Sequence, residues 1–152
     1  IATLDELPTD VRLVIAGPPG NDAATVDAAL ARHGDRIVRL PQVSDHDRVA
    51  LTAGAEALLW PSRYEGFALP PLEALAAGTP IVATAVGALP ELVGDIVDLV
   101  APGDDEAFTA AVVTALAARA PVSPQTSARV IQHSWDDAAA QMIEIYTRVA
   151  AA

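Results

Sequence analysis

The chain has 152 residues, the size of one domain, and should bury roughly two thirds of its unfolded surface around a single core. Its 20 Asp and Glu residues outnumber nine cationic residues, all arginine, so the formal net charge of −11 argues against nucleic acid as a partner. The absence of cysteine excludes disulfides, thiolate catalysis and cysteine-based metal sites, and it is compatible with the cytoplasmic location that we expect.

The amino terminus lacks a basic segment followed by an apolar stretch, and no run reaches about 18 apolar residues, so we expect a soluble protein. The chain begins without methionine, in what resembles the tail of a helix. We therefore expect it to be a fragment of a longer protein.

Five short apolar runs predict buried strands, at residues 11–16, 36–40, 57–60, 81–83 and 97–100. The stretches between them have helical periodicity. Asp22 is placed to cap the first helix, which ends at Gly34. The apolar positions of this helix, Val26, Ala29, Leu30 and His33, lie on one face.

Helices are also predicted after each of the next strands. Ser44 can cap a second helix that ends near Gly54, and a third has Pro70 and Pro71 in its first turn and ends at Gly78. The inward positions of a fourth helix, which Asp104 can start, are Phe108, Ala111, Val112, Ala115 and Leu116.

A loop with Pro121 and Pro124 then leads to a short helical piece. Ser134 and Asp137 form a capping box that opens the final helix. The apolar face of that helix consists of Ala139, Met142, Tyr146 and Val149.

Alternating strands and helices predict an α/β fold, a doubly wound parallel sheet with helices on both faces, in one domain spanning 1–152. Ligands of such folds bind beyond the carboxyl ends of the strands. Three loops of unusual composition follow predicted strands, at 17–22, 41–47 and 61–71. The first is a turn, since it lacks the Lys and Ser or Thr of a phosphate-binding P-loop.

The third loop and its helix read RYEGFALPPLEALAAG, at residues 63–78. A helix that begins near Leu69 would direct the free amides of Gly66, Phe67, Ala68 and Leu69 at a phosphate. Glycine at position 66 would let the backbone approach that ligand closely.

Two glutamates flank these amides. Glu73, on the helix, can accept hydrogen bonds from a diol such as a ribose, and Glu65 can address hydroxyl groups of whatever the phosphate carries. The alternative is a solvated loop acid and a surface helix acid. The local setting favours the ligand-binding interpretation.

Other candidate residues have simpler interpretations. Asp45, His46 and Asp47 spell a metal-binding Asp-x-Asp, but they directly follow Ser44, so helix capping is favoured. The three histidines, at 33, 46 and 133, lack metal-ligand spacing; only His46, near one candidate loop, stays open as a functional residue. Arg63 could contact phosphate or pair with an acid, and Trp60 is expected in the core rather than as a stacking platform.

The segment LLWPSRYEGFALPPLEALAAGTPIVATAVGALPELVGD, residues 58–95, resembles the signature of the retaining, GT-B type glycosyltransferases called group 1. Their Glu-x7-Glu motif falls on Glu65 and Glu73. The segments LVIAGPPG, LPQVSDHDRVAL, LVAPGDDEAF and HSWDDAAAQMIEIY are similar to further parts of the same domain.

The resemblance implies the Rossmann-like, donor-binding domain that lies at the carboxyl terminus of such enzymes. Its substrate would be a nucleotide diphosphate sugar, with no cofactor and no metal required. Glu65 and the amides that follow it would hold the donor sugar and diphosphate, and Glu73 would bind the ribose. The backbone of Val43 and Ser44 would hold the base.

Three departures from the family pattern accompany the resemblance. Ala68 stands where glycine is commoner, the basic pair that neutralises the diphosphate lies upstream of this chain, and the N-terminal acceptor domain is absent. We expect the acceptor, a sugar, lipid or small molecule, and any peripheral membrane contact to involve that domain. The resemblance also implies that the first strand of the sheet is missing. We therefore expect an open slot or an irregular pairing between strands 11–16 and 81–83, unless another chain or segment fills it.

Two other functions stay open. The first is a non-catalytic nucleotide-binding or interaction module of the same fold, and the second is a sugar-nucleotide epimerase, which would need catalytic acids that the motif segment does not display. The sequence leaves the base, the sugar and the acceptor undetermined.

Overall fold

A computed structural model describes residues 2–20, 23–132 and 134–151. The predicted cap Asp22 and His133 lie outside these residues. The strands are β1 (Leu13–Ala16), β2 (Ile37–Leu40), β3 (Leu58–Trp60) and β4 (Ile81–Ala83). The α-helices are α1 (Ala23–His33), α2 (Asp45–Gly54), α3 (Leu69–Ala76), α4 (Leu89–Val93), α5 (Asp105–Ala118), α6 (Pro124–Ile131) and α7 (Trp135–Ala150). Short 3-10 helices span Ala2–Glu6 and Gly34–Arg36.

Helix capping follows the predicted pattern. The side chains of Ser44, Asp104 and Ser134 each accept a hydrogen bond from the backbone N–H three residues later, at the starts of α2, α5 and α7. Gly78, with φ +85°, ends α3.

The four strands form two parallel pairs and not one continuous sheet. β1 pairs with β2 and β3 with β4, in register from Leu13 with Ile37 and from Leu58 with Ile81. The strand predicted at 97–100 is wrong, since only Val100 forms a bridge, to Thr84. The physical reason lies upstream: the N–H groups of Ile96 and Val97 donate to the carbonyl of Val93, so the chain turns out of the unpredicted helix α4 instead of extending.

Helices cover both faces of the β3–β4 pair, as predicted. On one face Ile81 and Ala83 belong to a core with α3, α4 and α6, and on the other Val82 packs with α5. This division follows from strand geometry, because successive side chains point to opposite faces. The core of the first face contains Leu72, Leu75, Leu89, Val93 and Val130. That of the second contains Leu4, Leu7, Ile37, Val100, Phe108 and Val112.

The predicted interruption of the sheet is present, but the prediction that β4 borders it is wrong. β1 and β4 belong to different pairs. Both edges of β4 are nevertheless occupied: Thr84 N–H donates to the Trp60 carbonyl on one side, and Val100 N–H donates to the Ala83 carbonyl on the other. Among the described residues, the unpaired edge of this strand pair therefore belongs to β3.

The helix faces that were predicted to be buried differ in how far the structure buries them. In α5, Phe108 and Val112 are buried, and the predicted face of α1 is half-buried. The apolar face of α7 is instead exposed, with 63% of Tyr146 and 69% of Val149 accessible. No other part of the described chain covers α7, so its amphipathic pattern predicts the helix but not its burial. None of the described helices has the length and apolar content required to cross a membrane.

Candidate active site

The loop that follows β3, residues 61–68, is the centre of the candidate site and is called the donor loop below. Thr84, at the end of β4, fixes its start, because the Thr84 hydroxyl donates to the carbonyl of Ser62. Ala88 fixes its middle, since its N–H donates to the carbonyl of Gly66 at 3.2 Å. A buried strand end and the start of a helix thus hold a loop that has no secondary structure of its own.

Four consecutive backbone N–H groups, those of Gly66, Phe67, Ala68 and Leu69, make no hydrogen bond within the described residues. The next two residues, Pro70 and Pro71, have no N–H. The donors left over at the start of α3 are therefore concentrated at its first residue and the loop before it. They lie where the helix dipole is positive and favours an anion.

Ala68, the cap residue of α3, has a left-handed backbone with φ +63° and ψ +64°, although it is only 5% exposed. Such a conformation costs an L-residue about 1–2 kcal/mol and explains why glycine suits the position better. Only one other non-glycine in the described chain, Arg119, has positive φ. Backbone strain thus occurs at the predicted phosphate-binding turn.

The two glutamates have different surroundings. Glu65 is half-buried, and its carboxylate has no hydrogen-bond or ion-pair partner in the described chain. The carboxylate of Glu73, 43% exposed, accepts a hydrogen bond from Arg48 on α2. Arg48 also lies 3.6 Å from Asp45.

Sequence reasoning missed Arg48. It lies 25 residues from Glu73, so no local pattern connects them. The available signal was a cation one helical turn after Ser44, on the helix that follows the predicted base-binding loop. In the fold this arginine joins the first turn of α2 to Glu73 on α3.

The backbone before α2 has unused hydrogen-bonding groups. Neither the N–H nor the C=O of Val43 is paired within the described residues, and the N–H of Ser44 is also free. The Ser44 hydroxyl is occupied by capping, since it bonds both the N–H and the carboxylate of Asp47. This confirms the capping interpretation of the acids that follow Ser44.

The remaining candidate residues make few polar contacts within the described chain. Arg63 is exposed and forms neither an ion pair nor a hydrogen bond with any described residue, so the alternative of an acid partner is not realised. The side chain of His46 is 93% exposed, and its Nδ1 lies 3.7 Å from Oδ1 of Asp47. Trp60 packs against the α3 core as predicted, with its buried indole N–H lacking a partner. No group of three potential metal ligands occurs among the described side chains.

Most of the donor loop is exposed, including Arg63, Tyr64, Gly66 and Phe67. Two cavities of about 230 Å³ adjoin Pro80, which precedes β4, and so lie at the amino end of that strand. The donor loop lies at the carboxyl ends of β3 and β4, where parallel α/β folds bind ligands. Position in the fold therefore favours the loop over the cavities.

The family described as Glycosyl transferases group 1 matches residues 1–118. The chain belongs to this family. The matched range includes the donor loop, Glu73 and the backbone at Val43 and Ser44.

Curated relatives agree with this assignment. The chain is 41% identical over 122 residues to an MMP alpha-(1->4)-mannosyltransferase of Mycolicibacterium hassiacum, covering 72% of the chain and 28% of the relative. It is 34% identical over 158 residues to a D-inositol 3-phosphate glycosyltransferase of Xylanimonas cellulosilytica, covering 97% and 38%. The chain thus spans about a third of the length of these relatives.

Solved structures give the same result for the fold. A sucrose-phosphate synthase from Thermosynechococcus elongatus superposes with a TM-score of 0.78 at 28% identity, over 99% of this chain and 41% of that one. The mixed α/β architecture with parallel strands is that of a Rossmann-like half of a GT-B glycosyltransferase.

Proposed function

We propose that this chain is the donor-binding domain of a retaining glycosyltransferase, which transfers a sugar from a nucleotide diphosphate sugar to an acceptor. One observation carries the proposal: four unpaired amides, Gly66 to Leu69, lie between the unpartnered carboxylate of Glu65 and the helix that bears Glu73. Family membership supports the same conclusion.

The amides would bind the diphosphate. In a chain of net charge −11, attraction of an anion must be local, and backbone N–H groups at a helix start provide it without a titratable side chain. Donors fixed in place also stabilise the negative charge that grows on the departing diphosphate. Arg63 is exposed, has no partner among the described residues and precedes these amides in the chain, so it is a candidate cationic donor to the diphosphate.

Glu73 would bind the ribose. Its ion pair with Arg48 is compatible with this role, because a carboxylate accepts hydrogen bonds at up to about four sites and so can serve a diol and an arginine together. Arg48 would then hold the carboxylate in place. Glu65, which has no competing partner, would be the catalytic residue and address the donor sugar.

The base would lie against the free backbone groups of Val43 and Ser44. Because backbone groups are the same for every residue type, the side chains at these positions do not identify the base. The relatives' names cite different products and acceptors, so they leave the sugar undetermined too. We propose, on the family resemblance, that no divalent metal is required and that the acceptor binds a separate domain.

The first test is a calorimetric titration of the full-length protein with UDP, GDP and ADP, in the presence of EDTA. We expect saturable binding of one of them. Glu73→Ala should weaken it by about 1–3 kcal/mol, the cost of losing a charged hydrogen-bond partner. The matched control is Glu144→Ala, which removes an exposed acid on α7 and should leave affinity unchanged.

Two outcomes would contradict the proposal. An unchanged affinity of Glu73→Ala would exclude the ribose role. A folded protein that binds none of the three diphosphates would indicate the non-catalytic interaction module instead.

A further inference from the structure

The turn between β4 and α4 lies against the donor loop. Gly87, in this turn, has φ +57°. A methyl carbon at its Cβ position would lie 2.7 Å from the carbonyl oxygens of both Glu65 and Gly66, closer than real side-chain carbons approach. Since both oxygens belong to the backbone, no side-chain rotation could relieve the contact.

The turn itself is firmly held on both sides of Gly87. Val86 is 8% exposed and Leu89 is fully buried, so both anchor the turn in the core. Ala88, next to Gly87, donates its N–H to the Gly66 carbonyl. A shift forced by a larger residue at 87 would therefore fall on the donor loop, which has fewer buried contacts.

Peptide geometry connects this contact with the free amides. The described chain has no cis peptide bonds, and in a trans peptide the C=O and the following N–H point in opposite directions. The Gly66 carbonyl faces the turn, because it accepts the Ala88 N–H at 3.2 Å. The N–H group of Phe67, on the same peptide, consequently points away from the turn.

We propose that Gly87 is a positioning residue: its lack of a side chain lets the β4–α4 turn seat the donor loop with the anion-binding amide of Phe67 directed away from the turn. This inference rests on the proposed function. It goes further by assigning the orientation of a phosphate-binding amide to a residue outside the donor loop.

The test compares Gly87→Ala with Gly34→Ala in the full-length protein. Gly34 has nearly the same backbone, φ +56°, but open space around its Cβ position, so it reproduces the conformational penalty without the contact. The probes are whichever of UDP, GDP and ADP binds the unmodified protein, and the corresponding nucleoside without phosphate.

We expect Gly87→Ala to raise the dissociation constant of the diphosphate about tenfold or more, as loss of charged hydrogen bonds predicts, and that of the nucleoside less than twofold. Gly34→Ala should change neither. Equal loss of both ligands, or a diphosphate affinity that matches Gly34→Ala, would overturn the inference. Absence of diphosphate binding by the unmodified protein would instead refute the proposed function.

If Gly87→Ala does not fold, the unmodified full-length protein provides a second test by NMR. The backbone amide signal of Phe67 should shift when the diphosphate binds and should shift much less with the nucleoside. An unshifted Phe67 amide at saturating diphosphate would overturn the inference.

Discussion

The two strand pairs differ in how completely they are covered. All three residues of β4 are buried, with cores on both faces, whereas β1 alternates between half-buried and exposed residues and leaves 44% of Val14 accessible. The covered pair carries the donor loop with its strained Ala68 and unpaired amides. Strain and unpaired donors persist where the surrounding structure is firmly packed, so the better-buried half is the one able to hold them.

Stability should divide between the two halves in the same way. Leu75 is 2% exposed, in the core beneath the donor loop, so Leu75→Ala should lower the free energy of unfolding by about 2–5 kcal/mol. Val14→Ala, in the uncovered half, should cost less than about 1 kcal/mol. Urea unfolding measures both, and comparable losses would show that the β1–β2 pair is equally well packed.

Within the β3–β4 half, we expect Glu65 to act in the reaction and the donor-loop amides to act in binding. Glu65→Gln keeps the size of the side chain but removes the charge that would address the donor sugar. We expect turnover to fall about 100-fold or more, with little change in the affinity for free nucleoside diphosphate. Steady-state kinetics and calorimetry measure the two quantities.

The control for this substitution is Glu91→Gln, which changes an exposed acid on α4. It should leave both quantities unchanged. Equal losses of turnover and affinity in Glu65→Gln would count against the separate roles of Glu65 and the amides.

The smallest expected effect concerns strain in the donor loop. Ala68→Gly relieves a left-handed backbone, worth about 1–2 kcal/mol, but loses a buried methyl group, worth about 0.8 kcal/mol. The free energy of unfolding should therefore stay within about 1 kcal/mol of the original value.

Ala74→Gly is the matched comparison, because Ala74 is fully buried in the interior of α3. It loses a methyl group and helix propensity together, which should cost about 1.5–2 kcal/mol. Equal losses at the two positions in thermal or urea unfolding would show that Ala68 is unstrained.

Local features were predictable from the sequence because their physics acts within one helical turn. Ser44, Asp104 and Ser134 cap helices through the N–H three residues ahead, and Gly78 ends α3 with a left-handed backbone that only glycine adopts without penalty. The two glutamates of the Glu-x7-Glu motif lie eight residues apart, and the alternation of strand and helix follows from the side-chain periodicity of each element. These features were sufficient to indicate the family and the position of the candidate loop.

The tertiary structure alone determined the contacts that span long stretches of chain. Arg48 pairs with Glu73 across 25 residues, Gly87 meets the backbone of Glu65, and the run at 97–100 bends because it leaves α4. Each depends on which elements pack together, and side-chain periodicity reports that an element has an apolar face without identifying what covers it. The exposed stripe of α7 follows the same physics: the sequence determined the helix, and only packing in three dimensions decided that the described chain does not bury it.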